Sequence, residues 1–247
     1  MPREFELSTE VTVDATPEEV WAAIASGPGI DSWFMGRTEL EPGPDGVVRV
    51  DLGVYQMSST ITAWDPPHRL EHRGDVEPDG TFRAFEFLVE GRDGSTVVRS
   101  VLSGFLGADD WETEYNALSQ DGPIYPHTLG QYLTYFLGRT AQPITGFGTR
   151  VVDRDTYWTR LRADLGLADD IAVDDEVTVT PGGLAVIDGV VDYVSPTQLG
   201  LRSADGLYRF VHGMNGTVVL GHHLFGDQVD QPEAERAWAS WLDRTFA

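Results

Sequence analysis

The chain has 247 residues and no cysteine, which excludes disulfide scaffolds, thiolate zinc sites and cysteine nucleophiles. Its 40 acidic residues outnumber 17 basic ones, all arginine, and the net charge of −23 disfavours nucleic acid and anionic membranes as partners. Because no apolar run approaches the roughly 20 residues of a membrane helix, and the chain does not start as a signal peptide does, we expect a cytoplasmic protein without membrane insertion.

The first thirty residues predict a strand and a capped helix. Apolar and polar residues alternate from Phe5 to Val13, as in a half-buried strand. Thr16, Pro17 and Glu19 then match the N-cap, the first helical position and the closing acid of a capping box. A Gly-Pro-Gly segment ends this helix, and a short second helix follows.

Residues up to 140 complete a first unit. Four turns rich in proline, glycine and aspartate separate segments rich in Val, Ile, Thr and aromatics, and links this short predict an antiparallel meander. From Asp109 to Arg139 apolar residues recur at helical spacing, with a break at Gly122-Pro123. The predicted order is therefore strand, two helices, six strands and a long broken helix.

The rest of the chain predicts a reduced copy of the same order. Residues 140–148 contain proline, two glycines and no charge, a composition typical of a linker. A helix from Asp153 to Leu165, five strand-like segments and a final helix from Gln231 to Phe246 follow. We interpret residues 149–247 as a degenerate second unit that lacks its opening strand.

This element order and several short motifs resemble a known superfamily. The order matches the helix-grip fold of the START/Bet v 1-like (SRPBCC) superfamily, and the motifs are similar to those of its AHSA1-like branch, named after the Hsp90 ATPase activator. The motifs are 15–21, 33–34, 61–70, 103–105, 111–112 and 127–133. The resemblance covers about residues 4–140. It implies an α+β fold with a curved antiparallel sheet around a long C-terminal helix, here in two tandem units, the second truncated.

In this fold, the space between sheet and helix is often a cavity, and an apolar cavity with a few polar groups is the usual binding site. Ten residues of the first unit are candidates for its wall: Trp33, Phe34, Met57, Trp64, Phe85, Phe87, Trp111, Tyr115, Tyr132 and Phe136. The alternative is that these side chains fill the core and leave no space for a ligand.

Arg99 is an eleventh candidate, because it lies in mid-strand between Val97 and Val101. If these valines face inward, so does Arg99, and a buried guanidinium needs a carboxylate or an anionic ligand as partner. We put forward the hypothesis that Arg99 points into the cavity and pairs with an acidic ligand group. If the other face of the strand is inward, Arg99 is a solvated surface residue.

The resemblance implies function only coarsely, because family members bind lipids, polyketides or hormones, or act as cyclases or hydrolases. We favour binding of a small hydrophobic molecule, lipid-like or polyketide-like, in the first unit. A cyclase or hydrolase is the first alternative, with His127, Tyr115 or Tyr132 as its acid–base group. A chaperone-linked or stress-response interaction protein is the second, and it predicts a filled first core with an exposed apolar patch.

Sequence motifs for metals and cofactors are missing. The histidines form neither HxH nor HExxH, and the chain contains no phosphate-binding glycine loop and no nucleophile elbow. We therefore assign no metal, no cofactor and no catalytic residue. The predicted partners are a small hydrophobic molecule and, through the second unit, a second copy of the chain.

Overall fold

The computed structural model describes residues 1–109, 111–226 and 229–247. Asp110, inside the predicted helix at 109–139, lies outside these described residues. The chain divides into two units, residues 1–140 and 141–247, and each is described by itself.

The first unit contains one sheet and four helices. Its elements are β1 (Arg3–Val13), α1 (Pro17–Ile24), α2 (Gly27–Ile30), β2 (Arg37–Leu40), β3 (Val47–Asp51), β4 (Gln56–Asp65), β5 (Arg69–Arg73), β6 (Phe82–Arg92), β7 (Ser95–Leu106), α3 (Trp111–Asp121) and α4 (Ile124–Tyr135). This is the predicted order, and the last helix is broken at Gly122 and Pro123 as expected. Proline favours that position because it cannot donate a helical hydrogen bond.

All seven strands of the first sheet are antiparallel, in the order β1-β7-β6-β5-β4-β3-β2. The first strand thus pairs with the last, and Val11, Val98 and Val89 form one row across three strands. Helix α4 covers this row, because a Cβ atom at Gly130 would lie 3.8 Å from the Val11 side chain. The face carrying Val11 and Val89 is therefore the inner face of the sheet. Phe87, two residues from Val89, lies on the same face.

The helix start predicted at Thr16 is confirmed in atomic detail. The Thr16 hydroxyl accepts a hydrogen bond from the Glu19 backbone N–H at 3.2 Å, and the Glu19 carboxylate accepts one from the Thr16 N–H at 2.8 Å. Both groups satisfy backbone donors that a helix N-terminus leaves unpaired. This capping box fixes where β1 ends and α1 begins.

Asp31 follows α2 and has a shifted pKa. Its Oδ1 accepts a hydrogen bond from the Thr38 N–H at 2.7 Å, yet burial raises the pKa of Asp31 from 3.8 to about 6. The folded protein therefore keeps a proton that the unfolded chain has lost, so stability falls as the pH rises from about 4 through 6.

We expect Asp31→Asn to raise the free energy of unfolding by about 1–2 kcal/mol at pH 8 and to give no gain at pH 4, because the amide keeps the acceptor oxygen without the charge. Urea unfolding of the first unit at both pH values, followed by tryptophan fluorescence, measures the difference. A variant less stable than the wild type at pH 8 would contradict this account.

The second unit repeats the topology with one sheet and two α-helices. Its elements are β8 (Gln142–Arg150), α5 (Arg154–Leu165), β9 (Glu176–Val179), β10 (Ile187–Val194), β11 (Gln198–Ser203), β12 (Gly206–His212), β13 (Thr217–Leu224) and α6 (Gln231–Phe246). The antiparallel order is β8-β13-β12-β11-β10-β9, so the first strand again pairs with the last. The two tandem helix-grip units are therefore confirmed, and the second is shorter by one strand and two α-helices.

The predicted linker at 140–148 is wrong, because most of this stretch is strand β8. Ile144 pairs with His222 and Gly146 with Leu220 of β13. The glycines are there for close packing, since a Cβ at either Gly146 or Gly148 would lie 3.0 Å from the Leu242 side chain of α6. The second unit thus begins at 141, not 149, and it has an opening strand, contrary to the prediction from the sequence.

The core of the second unit is rich in aromatic side chains. Trp238, Trp241 and Phe246 of α6 are buried together with Tyr157 of α5 and Phe210 of β12. Trp241 contacts Phe210 and Phe246 edge to face, with ring centroids 5.7 and 5.8 Å apart.

A charged pair is buried in the same unit. Both guanidinium ends of Arg209 donate to the carboxylate of Asp192, at 2.7 and 3.0 Å, and the two side chains are only 4% and 3% exposed. Arg209 also donates to the carbonyl oxygens of Leu201 and Tyr208. These bonds satisfy the charges that burial removes from water.

Candidate functional site

The turn between α1 and α2 sets the aromatic end of the site. Ser26 caps α2 by accepting a hydrogen bond from the Gly29 N–H. Gly29 has no room for a side chain, since a Cβ would lie 2.2 Å from the Ala22 carbonyl oxygen. This tight turn places Trp33 against the inner face of the sheet. Its Nε1 donates to the Ala23 carbonyl oxygen at 3.0 Å, and its ring contacts Phe87 edge to face.

A cavity of about 980 Å³ lies against the inner face of the first sheet. Strands β3 to β7 and the α2 region supply its wall. The large apolar side chains of this wall include Ile30, Trp33, Phe34, Met57, Phe85 and Phe87. The filled first core, which the interaction-protein hypothesis predicts, is therefore not what the structure has.

Five of the eleven predicted site residues line this cavity: Trp33, Phe34, Met57, Phe85 and Phe87. The last two alternate along β6, and Met57 lies on the same face of the sheet, on β4. Sequence alternation was enough to place these side chains, because the inner face of a strand repeats every two residues.

Arg99 lies on the opposite face, which corrects the hypothesis that it points into the cavity. Ser100 pairs with Phe87 of the inner face, whereas Arg99 pairs with Leu88 and with Glu10. The residues of β7 that face the cavity side of the sheet are thus Val98 and Ser100, not Val97 and Val101. Both sets alternate equally well in the sequence, and only the strand pairing distinguishes them.

The other five predicted site residues also lie outside the cavity wall. Trp64 packs edge to face on Trp21, with ring centroids 5.0 Å apart. Trp111 and Tyr115 stack on each other at 4.7 Å along α3, a helix with no buried residue. Tyr132 and Phe136 are buried near the end of α4, where the Tyr132 hydroxyl donates to the Arg139 carbonyl oxygen. These last two belong to the packed core.

Sequence reasoning missed a polar pair in the wall, His72 and Ser59. The Ser59 Oγ and the His72 Nδ1 are 2.7 Å apart and hydrogen-bonded, and both residues line the cavity. The imidazole stacks on Phe85 with centroids 5.3 Å apart and planes inclined by 15°. Burial lowers the pKa of His72 to about 4, so the ring is neutral at neutral pH. Alternation along β5, from Leu70 to His72, was the one signal available.

Carboxylates gather where the cavity opens to solvent. Asp75, Glu77, Asp79 and Asp109 are exposed, and with Glu114 they line the cavity and form what we call the acidic rim. Among the lining residues that the structure describes, Arg83 is the only arginine, and it lies 3.7 Å from the Glu114 carboxylate. The field at the opening is therefore negative and disfavours anionic ligands.

Within 1–109, 111–226 and 229–247, no three His, Asp or Glu side chains come together as a metal site requires. No helix in the same ranges is long and apolar enough to cross a membrane.

The unit that holds the cavity matches a known protein family. The model of the family described as polyketide cyclase / dehydrase and lipid transport matches residues 4–142. No curated protein matches the chain.

Three solved structures illustrate what the chain is similar to. Protein MLL2253 from Mesorhizobium loti is 19% identical over 52% of this chain and 96% of its own, with a TM-score of 0.46. The di-domain ARO/CYC BexL from the BE-7585A biosynthetic pathway is 13% identical over 98% of both chains, with a TM-score of 0.48. DynU16, from the dynemicin biosynthetic locus, is 18% identical over 97% of this chain and 96% of its own, with a TM-score of 0.45.

The family match spans more than half of the chain and coincides with the unit that holds the cavity. The chain therefore belongs to the polyketide cyclase / dehydrase and lipid transport family, within the SRPBCC helix-grip superfamily.

Proposed function

We propose that the first unit binds an uncharged hydrophobic molecule of the lipid or polyketide class in its cavity. The observation that carries this proposal is the 980 Å³ space itself, a volume within the roughly 300–1,000 Å³ of small-molecule sites. Its contacts with the ligand would come from Trp33, Phe34, Met57, Phe85 and Phe87. Aromatic walls of this kind suit flat or extended apolar molecules, because they offer large contact areas with little side-chain entropy.

A cavity-filling variant tests the proposal. Met57 faces the cavity, whereas Thr60 on the same strand is exposed and lies outside the lining. We expect wild-type protein to bind the neutral dye Nile red saturably, Met57→Trp to weaken binding at least tenfold, and the matched Thr60→Trp to change it less than twofold. No saturable binding by the wild type, or equal effects of the two variants, would sink the proposal.

A cyclase or hydrolase acting on the same class of molecule is the second candidate. One observation favours it: a neutral imidazole beside a hydroxyl lies in the cavity wall, at His72 and Ser59. A neutral imidazole is in the base form that general-base catalysis requires. His127, Tyr115 and Tyr132, the acid–base candidates from the sequence, are not among the lining residues.

Four finer features are proposed on the sequence alone. The motifs quoted above support membership of the AHSA1-like branch, and the charge of −23 supports exclusion of nucleic acid. A cytoplasmic location and a homodimer formed through the second unit complete the proposal.

A further inference from the structure

His72 offers one unused ring nitrogen to the cavity. Its Nδ1 is engaged with Ser59, and stacking on Phe85 fixes the ring plane. Among the described residues, none is hydrogen-bonded to Nε2, while the residue lines the cavity. A polar atom in an apolar wall costs free energy unless a ligand or water satisfies it.

The chemistry of this nitrogen selects a hydroxyl group. If Nδ1 accepts the Ser59 proton, Nε2 carries a hydrogen and donates; if Nδ1 donates to Ser59, Nε2 accepts. A ligand hydroxyl satisfies either case because it both donates and accepts, whereas a ketone only accepts. The ring is neutral at pH 7 because burial lowers the pKa of His72 to about 4, so it offers no charge to a carboxylate.

The acidic rim also disfavours a ligand that carries a carboxylate. Its five carboxylates outnumber Arg83, the one arginine among the lining residues that the structure describes, and Arg83 is already close to Glu114. A carboxylate ligand would therefore pass a negative field and meet a neutral anchor, so both steps disfavour it. A neutral polar ligand meets neither penalty.

We propose that Nε2 of His72, held in place by Ser59, is the polar anchor of the cavity, and that the ligand carries an uncharged hydroxyl, such as a phenol, on a flat apolar body. This inference rests on the proposed function and names the ligand class that the same cavity takes. His72 is here a specificity-determining residue, and Ser59 is a positioning residue.

Three matched probes test it at pH 7: naphthalene, 2-naphthol and 2-naphthoate, titrated against the full chain by calorimetry or intrinsic fluorescence. We expect the wild type to bind 2-naphthol at least fivefold more tightly than naphthalene, and 2-naphthoate most weakly. His72→Phe keeps a ring on Phe85 and should bind naphthalene and 2-naphthol equally, with naphthalene affinity changed less than twofold. Ser59→Ala should reduce the preference two- to threefold.

His72→Gln restores a neutral donor and acceptor and should recover part of the preference, a rescue that a merely structural role would not produce. Equal binding of naphthalene and 2-naphthol by the wild type would overturn this inference but leave the proposed function intact. No binding of either probe would overturn the proposed function itself. Because the wild-type order of affinities decides both questions, the test survives even if a variant does not fold.

Discussion

Asp192→Ala is expected to destabilise the second unit by about 3–5 kcal/mol, the usual cost of removing one partner of a buried ion pair. Arg209 would keep its guanidinium in the interior, with the carbonyl oxygens of Leu201 and Tyr208 as acceptors but without the carboxylate that balances its charge. The loss is large because the charge of Arg209 is almost fully removed from water, at 4% exposure. In addition, the alanine side chain is smaller than that of aspartate and leaves a cavity. Urea or thermal unfolding of the full chain, with the transition of the second unit followed separately, measures it.

Two controls separate the charge effect from general damage. The double variant Asp192→Leu with Arg209→Met removes both charges and should recover most of the loss, because apolar residues of similar volume replace a buried pair well. Glu90→Ala breaks the ion pair between Glu90 and Arg92, whose side chains are 66% and 60% exposed, and should leave stability unchanged. A single variant as stable as the wild type would show that the guanidinium reaches water in the folded state.

The parts of the fold that local patterns encode were predictable. The capping box at Thr16 and Glu19 and the final helix from Gln231 depend on residues three or four apart, and both are found at the predicted positions. Strand β8 was missed because its glycines are typical of a flexible link. Glycine is needed at these positions because the Leu242 side chain, almost a hundred residues later in the chain, packs closely against them. Local composition cannot report such a distant contact.

In the candidate site, too, only the residues that follow from a local pattern were predictable. Phe85 and Phe87 follow from alternation within one strand, so the sequence identified them. The face of Arg99 depends on the pairing of β6 with β7, and period-two patterns are compatible with either face. His72 was missed because its partner, Ser59, lies on another strand, 13 residues earlier. A histidine becomes interpretable only when its neighbours in space are known.

Trp33→Ala is expected to cost the first unit about 3–5 kcal/mol of stability, as large-to-small changes of buried tryptophan do. The side chain is 5% exposed, and its ring contacts both Phe34 and Phe87. Removing the indole also leaves the Ala23 carbonyl oxygen without its hydrogen bond, so α1 loses a tie to the segment after α2. Because that segment forms one end of the cavity, we expect Nile red affinity to fall at least fivefold. Chemical unfolding and dye titration of the same preparation measure both effects.

Trp64→Ala is the matched control, since Trp64 packs on Trp21 and is not part of the cavity wall. It should lose less stability, about 1–2 kcal/mol for a half-buried ring, and keep the dye affinity of the wild type. Trp33→Phe keeps an aromatic ring against Phe87 but not the donor to Ala23, and should cost about 1–2 kcal/mol while retaining most of the binding. If Trp33→Ala and Trp64→Ala changed dye affinity equally, the cavity end at α2 would not be the place where the ligand is held.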